Sequence, residues 1–212
     1  MSEKILEAIR KAKEQKRNFK QTIDLIINLK GLDLKRPENR IKTDVSLPHG
    51  TGKPRTVGLI LDQLISKANE IDNAILIKVN EIESLGKDKK HLKKLVQRCK
   101  FFVAEVPLMP LVGKNLGQVL APRGLMPRPI PPTVPSLKPL IDNLSKIIKV
   151  EVKKSPIVSV PVGTEDMDDQ KILENIVAVI NTLSNVMPRG KDQIKNIIIK
   201  STMGKPIKLE KW

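Results

Sequence analysis

Thr22-Ile23-Asp24-Leu25-Ile26-Ile27-Asn28-Leu29 is the stretch whose period decides the fold. Ile23, Leu25, Ile27 and Leu29 alternate with Thr22, Asp24 and Asn28, and Ile26 is the one exception. Successive strand residues point to opposite faces, so a period of two predicts a half-buried strand. Ile41, Thr43, Val45 and Leu47 repeat the pattern against Lys42, Asp44 and Ser46, with Gly31 and Pro37 punctuating the interval. Two strands with one wet face predict an antiparallel sheet. Upstream, Ile5, Leu6, Ile9 and Ala12 share one helical face, with Arg10, Lys11, Lys13, Lys16 and Arg17 mostly around it.

The period changes after Pro54. Val57 to Leu61, Ala74 to Ile77 and Phe101 to Val106 are short, nearly continuous apolar runs. Helical stretches separate them, among them Leu92, Leu95, Val96 and Cys99 at i, i+3, i+4 and i+7. Such runs predict βαβ units whose strands are buried on both faces. After Pro156 the alternation returns with Val158, Val160 and Val162. A helix follows with Ile172, Leu173, Ile176, Val177, Ile180 and Leu183 on its apolar side, then a last strand over 194–200. The economical organisation is an α+β split domain, an antiparallel sheet with helices, made from residues 1–55 and 156–212. An inserted α/β Rossmann-like domain fills residues 56–155.

Charge narrows the partners. The chain of 212 residues carries 39 Lys and Arg against 23 Asp and Glu, a net charge of +16. A positive field of that size attracts a polyanion, through release of counterions condensed on phosphates. Three Phe, one Trp and no Tyr leave little for a base-stacking platform, so structured RNA or DNA is favoured over a single strand. Residues 156–212 carry 8 Lys and Arg against 7 Asp and Glu, so any binding role there rests on particular hydrogen bonds. A single cysteine, Cys99, excludes an intramolecular disulfide and a multi-cysteine zinc site, and fits a reducing compartment. The first residues are charged throughout and no apolar run approaches the ~20 residues of a membrane span, so a cytoplasmic protein without membrane attachment is expected.

Several motifs are decoys. Gly50-Thr51-Gly52-Lys53 resembles a phosphate-binding loop, but Leu47 and Pro54 stand where the motif needs Gly and Ser or Thr. His49 and His91 have no ligand-spaced companions, so no metal is expected. Asp166, Asp168 and Asp169 are read as helix-start carboxylates facing the positive end of the dipole, and Cys99 as core. No catalytic constellation and no cofactor motif remains. The run Lys87, Lys89, Lys90, Lys93, Lys94, Arg98 and Lys100 surrounds an apolar helical stripe with only Asp88 to neutralise it. It fits a solvated face or a backbone-binding patch equally well.

Two segments stand out. Residues 107–139 hold nine of the sixteen prolines, together with Gly113, Gly117 and Gly124, within which lies VGKNLGQVLAPRGLMPRP. Fixed and permissive backbone in that mixture predicts an extended path without a sheet ladder, presenting Lys114, Arg123 and Arg128. The other segment runs from Ile197 to Pro206, where a strand ends in Ser201, Thr202, Met203, Gly204 and Lys205. Hydroxyls there can donate to and accept from ribose, and Gly204 lets another backbone approach.

With these segments the chain resembles the universal large-subunit ribosomal protein L-one family, in its archaeal form. VGKNLGQVLAPRGLMPRP and the terminal STMG carry the resemblance, with RNFKQTID over 17–24 and VSLPHGTGK over 45–53. It departs from the family pattern at Ala121, where Gly-Pro-Arg-Gly is usual, and at Lys205, where Pro commonly follows TMG. The resemblance implies a structural, non-enzymatic protein of the mobile stalk beside the tRNA exit site. Its implied partners are large-subunit rRNA, exit-site tRNA that it helps to leave, and its own mRNA, whose translation it represses. The free protein is expected to be a monomer. The family's RNA contacts map onto Phe19, Thr22, Asp24, Ser201, Thr202, Met203 and Gly204. Thr22, Ser201 and Thr202 are expected to hydrogen-bond riboses or bases, and Asp24 to orient a neighbour or accept from a base amine. Met203 would pack on ribose, while Lys16, Arg17, Lys20 and Lys205 would attract phosphate. The alternatives are a free-standing RNA-binding repressor and an enzyme using the inserted domain as a nucleotide site, which lacks G-x-G-x-x-G.

Overall fold

The computed structural model describes residues 2–14, 17–32, 34, 41–62, 64–65, 74–134, 136–152 and 155–209. Those residues divide into two compact units, Met1–Lys53 with Lys146–Trp212, and Pro54–Ser145.

In the discontinuous unit, β1 (Thr22–Leu29) is central. It pairs antiparallel with β8 (Ile157–Thr164) on one side and β9 (Ile194–Ser201) on the other, and β10 (Ile207–Leu209) extends the sheet beyond β9. Ile23, Leu25, Ile27 and Leu29 are buried with Val158, Val160, Val162, Ile197 and Ile199, as the period of two requires. Helices α1 (Ser2–Lys13) and α6 (Asp169–Val186) cover that face with Ile5, Ile9, Ile172, Ile176, Val179 and Leu183. Each fully buried aliphatic side chain contributes about 1.5–3 kcal/mol. Val177, expected on the apolar side of α6, is exposed instead. Ile26, the exception to the alternation, lies half-buried on the opposite face between Ser159 and Ile198. Across that face the Asn28 amide donates to Asn196 at 2.6 Å.

The second boundary differs from the sequence expectation. β7 (Ile147–Glu151) pairs antiparallel with β2 (Lys42–Ser46), bringing Lys42 opposite Glu151 and Asp44 opposite Lys149. Opposite charges face each other across the pair, and Ile148, Val150 and Val152 enter the core of the discontinuous unit. The stretch expected to close the insertion at 155 therefore belongs to the split unit from Lys146 onward. With that division the split unit carries 25 Lys and Arg against 15 Asp and Glu.

The inserted unit is a parallel sheet in the order β4-β3-β5-β6, formed by β3 (Thr56–Ile60), β4 (Ala74–Ile77), β5 (Cys99–Glu105) and β6 (Arg128–Ile130). Helices α2 (Val79–Lys87), α3 (Lys89–Arg98) and α4 (Met109–Leu120) pack on it through Ile82, Leu92, Val96, Val112 and Leu116, and α5 (Lys138–Lys146) follows β6. Gly58 of β3 is required because a Cβ there would lie 2.4 Å from the ring of Phe102. The proline-rich segment is not the extended path expected. Met109–Leu120 is helical, with proline at its first turn, where no backbone N–H needs a partner, and Arg128–Ile130 joins the ladder of β5.

Candidate nucleic-acid interface

One rim of the split sheet gathers residues from both ends of the chain. The carbonyl of Thr22, at the start of β1, accepts from the Thr202 backbone N–H at 3.0 Å and from the Thr202 hydroxyl at 3.1 Å. Gly204 N–H donates to the Ser201 carbonyl at 2.9 Å, which closes a turn, and Met203 N–H donates to the side chain of Gln21 at 3.2 Å. Gln21 is itself buried, and its backbone N–H and C=O both engage Glu165 after β8. Gln21 and Thr22 are thus held beside the turn 201–204.

Asp24 is half-buried one residue pair inward from this turn, opposite Lys200 across β1 and β9. Burial raises its carboxyl above the ordinary aspartate range, against the opposing pull of Lys200, Lys53 and a hydrogen bond with Thr202. The Thr202 hydroxyl has one proton and two acceptors at hand, Thr22 and Asp24. Its lone pairs remain open to a donor from outside. Met203 in the turn is 62% exposed, and Phe19, two residues before Gln21, is 54% exposed, so both large apolar side chains stand in solvent.

The expected residues do not all fall here in the expected way. Ser201 is 1% exposed, and its hydroxyl is buried with no hydrogen-bond partner. Its position in β9, two residues beyond inward-facing Ile199, turns it toward the core, so it does not present a hydroxyl to a ligand. Lys20 is ion-paired with Asp166, which ties that cation to the segment after β8. Arg17 is exposed, as are Thr202 and Lys205; Gly204 is half-buried. Lys16 lies outside the described residues. Asp169 pairs with Lys13 at 2.6 Å and Arg10 at 3.4 Å, fastening α6 to α1. Among the described residues, no group of His, Cys, Asp and Glu could hold a metal ion, and no helix is long and apolar enough to cross a membrane.

Lys53 is the residue that sequence reasoning missed. It belongs to the loop whose spacing fails the phosphate-binding motif, and the loop's backbone is pinned elsewhere. The buried side chain of Asn175 donates to Gly50 O and Val162 O, both at 2.8 Å, and accepts from His49 N–H at 3.1 Å. Gly52 has φ +70°, and a Cβ there would lie 2.7 Å from the Thr164 hydroxyl. Fixed in this way, the loop brings exposed Lys53 near Asp24. No spacing in the sequence could have reported that approach.

A split α+β unit carrying an inserted Rossmann-like unit, with a polar and cationic rim on the split sheet, defines the class of protein. Residues 10–205 match the model of the ribosomal protein L1p/L10e family, and the chain belongs to that family of ribosomal proteins. It is 42% identical over 211 residues to the large ribosomal subunit protein uL1 of Thermococcus kodakarensis, covering 99% of this chain and 98% of that one. It is 43% identical over 212 residues to uL1 of Methanothermobacter thermautotrophicus, covering 99% and 100%. Identity to uL1 of Methanothermococcus thermolithotrophicus is 44% over 212 residues, covering 99% of each. The chain carries the archaeal form of the family.

Proposed function

We propose that this chain is a structural protein of the large ribosomal subunit that grips rRNA with the rim around Thr22 and Thr202. The supporting observation is the convergence of 21–24, Lys53, Lys200 and 202–204 on one edge of a unit with a strong cationic excess. Thr202 and Asp24 supply hydrogen-bond acceptors and a donor, Met203 and Phe19 pack on sugar or base, and Arg17, Lys53, Lys200 and Lys205 attract phosphate. Resemblance to the family extends the proposal to helping deacylated tRNA leave the exit site. It also extends to repressing the chain's own message through an RNA that imitates the rRNA site and occupies the same rim.

Nucleotide enzymology is disfavoured by the inserted unit itself. Open parallel sheets bind phosphate at backbone amides beyond the strand ends where the order reverses. There, after β3, the N–H groups of Asp62 and Leu64 already donate to the buried Glu105 carboxylate at 3.1 and 2.9 Å.

Sedimentation of native extract with footprinting on large-subunit rRNA tests the proposal. The protein should travel with the large subunit and protect one discrete rRNA site, and Thr202→Val should lose that protection. A protein found chiefly free of ribosomes would favour a free-standing repressor and overturn the structural role.

A further inference from the structure

The outward face of α3 in the inserted unit is a second surface that the rim does not use. Leu92, Val96 and Cys99 are buried and Leu95 is half-buried, which turns Lys90 and Lys94 directly outward, with Lys93 and Arg98 flanking them. Lys90, Lys94 and Arg98 recur every four residues, so their backbone positions step along the helix by about 6 Å. Lys87 and Lys100 continue the exposed charge beyond both ends of the helix.

The acid nearest this face is Asp88, whose carboxylate feels the charges of His91 and Lys90. Among the described residues, none of these six cations has an ion-pair partner. Asp88, the single acid of the run, caps the helix by accepting from the N–H groups of Lys90 and His91 at 3.0 and 3.1 Å. On the neighbouring helix α2, the Glu81 carboxylate accepts from the Lys78 N–H at 3.4 Å, and Glu83 lines a groove with Lys87 and Lys114.

We propose that the outward face of α3 docks on the phosphate backbone of an RNA duplex, as a contact separate from the rim of the split unit. A regular row of unpaired cations matches a strand of regularly spaced phosphates, and counterion release drives such an association without base contacts. Single-stranded RNA fits less well, because Phe101 and Phe102 of this unit are buried and offer no stacking platform. An acidic protein also fits less well, since the residues turned directly outward, Lys90, Lys94 and Gln97, are all exposed and polar and give a protein interface no apolar centre to close around.

The test uses the full-length chain and a blunt, mixed-sequence RNA duplex of about 20 base pairs, followed by fluorescence anisotropy across a salt series. Replacing Lys90, Lys93, Lys94 and Arg98 together with Gln should weaken binding about tenfold at physiological salt. The slope of log affinity against log salt should fall by about 3.6, close to 0.9 for each of the four lost phosphate contacts. Restoring charge with Lys90→Arg, Lys93→Arg and Lys94→Arg should keep the parent's affinity. The double variant Lys90→Gln with Lys94→Gln reads the same contrast at half the charge change if the quadruple variant melts early. Thr202→Val should leave the duplex slope at the parent's value, so failure here and failure of the rim reading are separate results. A charge-depleted variant with the parent's affinity and slope overturns the proposal. So does a parent chain that prefers poly-glutamate to the duplex, which would make the face a protein-docking surface.

Discussion

The hydroxyl of Thr202 donates to the carbonyl oxygen of Thr22 at 3.1 Å, joining residues 180 positions apart. The same carbonyl accepts the Thr202 backbone N–H, so removing the hydroxyl leaves the turn attached. Thr202→Val is therefore expected to melt within a degree or two of the parent. It should weaken rRNA binding by about 1–3 kcal/mol with little change in salt slope, because a buried RNA partner loses its hydrogen bond. Filter binding at several salt concentrations checks this, and undiminished affinity would make the turn purely structural.

Asp24 gives a pH-dependent prediction. Its folded pKa is raised by burial, so the ionised form opposes folding above that pKa, and the penalty is relieved as pH falls through it. Asp88, whose carboxyl is lowered by its bonds to the His91 and Lys90 amides, works in the opposite direction. Asp24→Asn should raise the Tm near neutral pH, and its advantage over the parent should shrink on acidification. A lower Tm for the variant at neutral pH would mean that Lys200 and Lys53 outweigh burial.

Two glycines should respond with opposite sign. Gly52→Ala places a Cβ in left-handed backbone 2.7 Å from the Thr164 hydroxyl, and should destabilise the split unit by about 1–3 kcal/mol. Gly113 lies inside α4, where an added methyl would meet nothing within 4 Å, so Gly113→Ala should stabilise the inserted unit by about 0.5–1 kcal/mol. Thermal melts of both variants decide the matter.

The division at Ser145 and Lys146 can be tested by deletion. A Cβ on Gly50 would lie 3.5 Å from the Lys146 side chain, and Gly50 is three residues before the end at Lys53, so a short Gly/Ser linker can join the two segments. Residues 1–53 joined to 146–212 should fold and retain rRNA binding. Residues 1–55 joined to 156–212 lack β7 and remove Ile148, Val150 and Val152 from the core, and should be largely unfolded by circular dichroism. Equal folding of the two fusions would show that β7 is dispensable.

Replacing Asn175 with Ala removes the partners of Gly50 O, Val162 O and the His49 N–H in a buried setting. A loss of about 2–4 kcal/mol is expected. Urea titration should show it, and Lys53 should become more reactive to acylation as its loop is released.

Local patterning determined much of this protein by itself. The period of two in 22–29, the continuous apolar runs after Pro54 and the return of alternation after Pro156 specify two kinds of sheet, because each burial pattern suits only one strand environment. What decided the boundary was different in kind. Ile147–Glu151 alternates well enough to belong to either unit, and only its partner, Lys42–Ser46, places it in the split domain. Helical Met109–Leu120 was hidden for a related reason: proline and glycine disfavour a helix locally, yet Val112, Leu116 and Leu120 bury one face of it against the inserted core.

The candidate rim divides in the same way. The turn Thr202-Met203-Gly204 stood out by residue type, because hydroxyl, thioether and glycine after a strand offer hydrogen bonds, packing and close approach, whereas Phe19, Thr22 and Asp24 entered only through the resemblance to the family. Which of those groups face outward was not legible. Ser201 and Thr202 have similar hydroxyls, but strand alternation sends the first into the core and leaves the second in solvent. Lys20 and Lys53 are both lysines of a basic segment, yet one is paired with Asp166 and the other is carried toward Asp24 by a loop pinned on Asn175. A sequence specifies chemistry residue by residue and burial by period. Approach between residues more than a hundred positions apart is set by the pairing of strands and the packing of helices, and it is that approach which turns separate motifs into one surface.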